Sequence, residues 1–498
     1  MSLRSPSGLT ANPLPMIVLA LAIAVASPFL GSCSPNPKSG GGLGGTGSVT
    51  ASSISSGPVT NLSSLSVSGT EYDTYNALFC IDGEPCSTKN SLKLGMVVVV
   101  NGTAQSTSNE QINRVANTIT LEETVQGVVQ SVVPDGSGLV VLGQVLEVNQ
   151  KTVIDESIPG RSLRNLKPGT DIIEVSGLIS GDGHILATLI MSHNGTPHYG
   201  VQGIIKNHDV QGKRFEIGQL VVEYSSADIS DITAGGTNWN NLLVKVRGDE
   251  WQPSGELPYA ATLRASRVTR MGLTDEYSAE AKIEGFITHV TASEAFSINN
   301  HPIEVSSTTT FQRGTANDLK LGTHVLIHGA LAQGVLKADE VMFKENLQIE
   351  SNIESLDLQS RTLTVAGLPG LSIETDSQTV VEHGGMVASF ENIIIGDHLK
   401  IYARLVDGQR VFATELERTD PSDAIVLEAP LQSAIDPQIL LAGVIVDTSG
   451  ILENGFIGAY EPIGRVAFFE NALIGRPVWG KGTLRGGLVT WNSVGISR

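Results

Sequence analysis

Apolar and polar residues alternate in short runs along most of the chain. Val325 and Ile327 stand between His324, Leu326 and His328, and many similar stretches are rich in β-branched residues. A period of two with β-branched side chains marks half-buried strands. Over the stretch from 281 to 343 the pattern predicts strands at Ala281–His289, Ala295–Ile298, Ile303–Val305, Thr323–His328 and Leu336–Phe343. Turn residues such as Asn299-Asn300, Gly181-Asp182-Gly183 and Asp407-Gly408 separate such runs,. No run of about 12 residues carries a 3.6-residue period. A single helical turn is expected before a recurring glycine, as at Ala316–Leu321.

That glycine belongs to a phrase that repeats. Leu92-Lys93-Leu94-Gly95, Leu166-Lys167-Pro168-Gly169, Leu319-Lys320-Leu321-Gly322, Ile393-Ile394-Ile395-Gly396 and Ala472-Leu473-Ile474-Gly475 each precede an apolar strand. The glycines are 74, 153, 74 and 79 residues apart, so one unit lies inside the double step, with Leu242–Val246 and Arg247-Gly248 in its place. A second phrase opens the units: Val125-Gln126-Gly127, Val201-Gln202-Gly203 and Ile283-Glu284-Gly285. A third closes them: Ile185-Leu186-Ala187, Leu263-Arg264-Ala265 and Leu336-Lys337-Ala338. A fixed period of this length is the mark of a repeat architecture. The reading is an all-β chain, a tandem array of about six small five-stranded OB-like antiparallel barrels at residues 57–124, 125–198, 199–279, 280–347, 348–424 and 425–498,.

The amino terminus follows a different pattern. Met16 through Ala26 is an unbroken apolar run behind a single basic residue, Arg4. It is too short to cross a bilayer, which takes about 20 residues, and it fits the core of a secretory signal peptide. Leu30-Gly31-Ser32-Cys33 follows and resembles the bacterial lipobox. The resemblance implies cleavage after residue 32 and acylation (palmitate among the chains) of Cys33, with Ser34 in place of the aspartate that would retain the protein at the inner membrane. Residues 33–56 are rich in Gly and Ser and are expected to form a lipid-anchored flexible tether,. The expected location is the cell outer membrane, with the lipid as the membrane contact.

The repeated phrases, with Val67-Ser68-Gly69-Thr70-Glu71-Tyr72-Asp73-Thr74 in the first unit, resemble the tandem repeats of domain of unknown function 5666 found in bacterial lipoproteins. The resemblance implies no activity.

Composition narrows the partners. The chain has 498 residues, 41% of them apolar, too many for a disordered chain,. Its net charge is −19, and loss of residues 1–32 leaves 31 basic against 51 acidic residues, a net −20. Such a surface excludes nucleic acid, which requires a basic face. Cys80 and Cys86, outside the cytoplasm, are expected to pair as a disulfide,. Their spacing is neither a redox Cys-x-x-Cys nor a haem-attachment motif.

Candidate chemistry is sparse. His184, His193, His198 and His208 cluster around one repeat boundary and are the candidate metal ligands, although their spacing matches no zinc signature,. Trp239, Trp251 and Tyr259 are a candidate stacking surface for sugar rings or a protein partner, against the plainer reading of buried plugs in a divergent unit,. There is no Gly-x-Ser-x-Gly, His-Glu-x-x-His or Walker motif,. No catalytic residue, metal or cofactor is assigned. The expected function is a non-catalytic binding or scaffold module in the cell envelope, with a protein or polysaccharide partner. The competing expectation is a hydrolase-like enzyme or a metal-binding protein with its site at a repeat junction. A histidine cluster converging with carboxylates in one pocket would favour it.

Overall fold

The computed structural model describes residues 50–496 except 82–85, 88–90, 107–111, 122, 134–135, 137, 150, 194, 196–197, 233–237, 254–260, 274–276, 293–294, 378, 407–409 and 459–461. The expected signal peptide and Cys33 lie outside the described residues. The chain from Ser48 to Arg498 is one compact unit.

The molecule is all-β, built of small five-strand barrels. In the stretch 277–343 the first strand, Tyr277–Ala292, pairs with Ala295–Ile298, and that with His301–Glu304. The third strand runs parallel to Val335–Phe343, which pairs with His324–Ala332, which returns to Tyr277–Ala292. The ring is closed, so no strand edge is left open. The same order closes 125–192 and 347–419. In the last stretch the strand Val444–Asp447 bonds only to Gln438–Leu441, and among the described residues the ring stays open there. Alternation places the core. Val325 and Ile327 point inward with Ile283, Ile287, Ile298 and Val341, all essentially inaccessible to water.

The repeated glycine has one job. Its backbone N–H donates to a carbonyl near the end of the opening strand: Gly95 to Val59, Gly169 to Val129, Gly322 to Ile287, Gly396 to Ile353 and Gly475 to Leu431, all at 2.7–3.0 Å. The bond requires a left-handed residue, and Gly322 has φ +80°,. The third stretch, which has no glycine there, uses Asn241 at φ +69°, and its N–H donates to Ile205 at 2.9 Å. Asn is the side chain that best tolerates this conformation. Each of the six stretches also has a β-bulge in its fifth main strand, where the extra residue is Asn117, Thr188, Ser266, Asp339, Thr414 or Asn492, beside Gly102, Gly177, Gly248, Gly329, Ala403 and Gly482 of the fourth,.

The stretches join in pairs through their opening strands, giving three sheets. Val125–Val132 meets Tyr199–Ile204, and Leu347–Asp357 meets Ala424–Ile435, both antiparallel. Thr50–Asn61 instead runs parallel to Tyr277–Ala292, with Ser53 opposite Glu280 and Ser56 opposite Ile283. This corrects the expected tether, since Thr50–Ser56 is strand. Ile54 is buried in the core, and Ser53 and Ser55 are buried with their hydroxyls 3.0 and 2.8 Å from the Tyr72 hydroxyl. Small hydroxyl side chains with an internal partner are buried at little cost, and a Ser-rich composition does not reveal that partner.

The hairpin 172–192 is a hub. Thr188 Oγ1 donates to the Gly95 carbonyl at 2.6 Å, Leu321 packs against Gly181, and Arg476 pairs with Asp182. Three glycine phrases from distant parts of the chain thus dock on one hairpin.

Candidate functional site: a central cavity

Around that hub lies a cavity of about 1560 Å³, walled by the stretches that begin at residues 50, 125, 277, 347 and 424. Its wall mixes apolar surface with charged and polar side chains, which reach it because strands have two faces. Along His398–Val406, Leu399, Ile401 and Ala403 fill the barrel, while Tyr402 and Arg404 line the cavity,.

At least four of the nine carboxylates on the wall have a lysine or arginine partner among the described residues. Lys151 Nζ lies 2.7 Å from Glu345 and 3.0 Å from Glu415, and 4.4 Å from the centre of the Tyr402 ring. Burial alone would push Lys151 down, but the two carboxylates outweigh it and hold it above its ordinary value,. Glu284 sits 3.3 Å from Lys344 and 3.2 Å from His324; burial opposes its ionisation, yet these partners draw its pKa to about 2. Asp182 is held well below the carboxylate range against its burial. It accepts from Ser180 and Arg476, and His184 Nδ1 is 3.2 Å away.

Two wall carboxyls go the other way. Burial first, then the neighbouring Glu428 and Asp182, push Glu147 up to about 8, so it carries a proton at neutral pH. Glu382 is raised by burial and by Glu415 and Glu417, and it stands directly opposite Glu417 in a parallel ladder. Tyr402 is raised too, by burial and the surrounding carboxylates.

The four histidines that the sequence groups take separate partners. His184 alone lines the cavity. His193 bonds Glu174 and lies 3.0 Å from Gln126 Nε2. His198 is exposed, 3.6 Å from Asp249. His208 stacks on Trp239 with ring centres 4.4 Å apart. Its Nδ1 accepts the Trp239 backbone N–H at 3.2 Å, so its Nε2–H donates to the Tyr224 hydroxyl at 2.8 Å,. Burial lowers its pKa, in keeping with that neutral form. Among the described residues no group of three or more His, Cys, Asp or Glu is placed to hold a metal ion.

Trp239 is buried in an aromatic cluster with Phe215 and Tyr224. Trp251 is half-buried with its ring centre 6.3 Å from that of Tyr199, and Tyr259 lies outside the described residues. Cys80 and Cys86 are joined in a disulfide.

Lys151, Glu147, Glu345, Tyr402 and Arg404 carry the cavity, and none of them belongs to a motif. The one signal in the sequence is the set Lys400, Tyr402 and Arg404, polar groups at every second position of a strand whose other face is apolar. Alone, that reads as an ordinary solvent face.

No curated protein matches the chain. Residues 126–191, 284–342 and 350–417, each coinciding with one of the closed rings, match the family model described as Domain of unknown function (DUF5666), so the chain carries repeated copies of that domain.

Proposed function

We propose that this protein is a non-catalytic outer-membrane lipoprotein, anchored through acylated Cys33, whose six OB-like units form one binding body for a protein or polysaccharide of the cell envelope. The observation that supports this reading is the large cavity between the units, where three of the five wall cations are already committed to carboxylates of the same wall. Groups locked in mutual pairs orient and hold a polar ligand, whereas nucleophilic catalysis needs an activated nucleophile beside its base. The lipobox supplies the anchor and the repeats supply the walls. The test is in two parts. Intact mass should show acyl chains on Cys33, and Cys33→Ser should move the protein from the outer-membrane fraction to the soluble one; unchanged fractionation ends the lipoprotein reading. Glycan and protein capture on the purified chain should depend on Tyr402, and capture that Tyr402→Ala leaves unaltered ends the cavity reading.

One observation favours the competing hydrolase. Glu147 holds a proton at neutral pH in a cavity, which is the state of a general acid,. Turnover of chromogenic glycosides or esters, abolished by Glu147→Gln, would establish it.

A further inference from the structure

One cation of the wall stands apart. Five cations line the cavity: Lys151, Lys320, Lys344, Arg404 and Arg476. Lys151, Lys344 and Arg476 each have a carboxylate partner, and Lys320 is exposed to water. Arg404 is the most buried, only 6% exposed, and no carboxylate lies within 4.0 Å of it among the described residues. Its Nη1 donates to the Lys344 carbonyl at a long 3.4 Å, its Nε has no partner, and its guanidinium lies 5.0 Å from the centre of the Phe343 ring. The carboxylate that acts on it at longer range, Asp318, is occupied at the start of its own helical turn, accepting from Thr315 N–H and Oγ1 at 2.9 and 3.1 Å.

A buried guanidinium is always charged and presents five donors in a planar fork. Leaving it without an anion is costly, and proteins pair such groups or supply the anion from a ligand. Arg404 borders open volume, so there is room for that anion.

We propose that Arg404 is an anion-binding subsite, which takes a carboxylate or phosphate group of a polar ligand held in the central cavity. The proposal rests on the cavity being a binding site and adds the chemistry of its ligand. Tyr402, two residues earlier on the same face, lines the same cavity with Lys151 over its ring,. The wall as a whole is acidic and weighs against an anion, so the attraction has to be local to Arg404. Lys151 offsets one charge of the Glu345–Glu415 pair, Lys344 offsets Glu284 and Arg476 offsets Asp182, while Arg404 is the buried cation with no carboxylate within 4.0 Å among the described residues.

The test is calorimetric titration of the full chain with a galacturonate trisaccharide, its fully methyl-esterified form and inorganic phosphate. The acid form should bind at least tenfold more tightly than the ester, and Arg404→Met should erase that preference while Arg404→Lys keeps part of it. Binding of phosphate that is lost in Arg404→Met assigns the source as a phosphate group. A thermal melt of Arg404→Met checks that it is folded; removing an unpaired buried charge should leave its midpoint equal or higher. Equal affinity for acid and ester with no phosphate binding overturns the anion subsite while leaving the cavity as a site for neutral ligands. A preference that survives in Arg404→Met also overturns it. Absence of any binding of all three probes overturns the subsite, and the Tyr402→Ala capture experiment then decides the cavity reading separately.

Discussion

The two faces of the strand His398–Val406 are made of neighbouring residues and live under different rules. Ile401 faces the barrel interior, wholly buried between Ile349 and Leu416 on the adjacent strands. Tyr402, the next residue, is almost as buried, yet it faces a cavity of charged groups. Burial inside the barrel comes from one unit's own fold, whereas burial on the cavity wall comes only from the assembly of several. The first depends on apolar packing alone and the second on apolar contact together with ion pairs such as Lys151 with Glu345 and Glu415.

The sharpest break in that comparison is Ile401→Ala. It should cost about 2–5 kcal/mol, the range for truncating a wholly buried aliphatic side chain, read as a lower urea midpoint. The corresponding cut on the cavity side is Lys151→Met. It leaves Glu345 and Glu415 facing each other without their cation. With the Lys151 side chain 37% exposed, the loss should be about 1–2 kcal/mol rather than the larger penalty of a fully buried pair. A loss as large as that of Ile401→Ala would show that the wall, not the barrels, holds the body together.

The shared turn allows a smaller test. Asn241→Ala places an alanine at φ +69° and should destabilise by about 1 kcal/mol, while Asn241→Gly should be neutral or better,. Equal effects of the two would remove the conformational explanation for the third stretch.

The smallest effect concerns pH. Glu147 keeps its proton in the fold up to about pH 8 but would release it near 4.5 when unfolded. The native state therefore holds the extra proton between those values, and stability falls as pH rises through that window. Glu147 is half-buried, so the change should be roughly 1 kcal/mol, and Glu147→Gln should flatten it. Glu284 works in the opposite sense. Its lowered pKa contributes stability above its unfolded value of 4.5, lost as pH falls toward about 2.

The barrel interiors were legible because period-two alternation is local. The strands expected at Ala295–Ile298 and near Leu336–Phe343 are found there, and the expected helical turn is present at Ala316–Asp318. The Gly322 phrase was visible as a repeat, although its purpose, an N–H bond to the opening strand, needs coordinates. The role of Asn241 was hidden because no glycine marked it. The cavity was not legible at all. Lys151 meets Glu345 across 194 residues of chain, and Arg476 meets Asp182 across 294. No spacing rule reaches that far. The four histidines show the reverse error: closeness in sequence did not bring them together, because successive strands of a barrel send their ends to different sides.

The parallel seam between the first and fourth stretches has a consequence for the order of assembly. The Ala279 N–H donates to Ser52 Oγ at 3.0 Å across 227 residues. As the chain emerges from its amino terminus, Thr50–Asn61 is in place well before its second neighbour, which lies more than two hundred residues further on,. Over that interval it is a bare strand edge, the kind of surface that recruits other chains. The residues that wait are Ser52, Ser53, Ser55 and Ser56 with one isoleucine among them. Hydroxyl side chains in place of valine and isoleucine keep the unfinished edge wet and unattractive to neighbours until its own partner emerges. The composition that looks like a linker is thus what a strand needs when it must be early and remain alone.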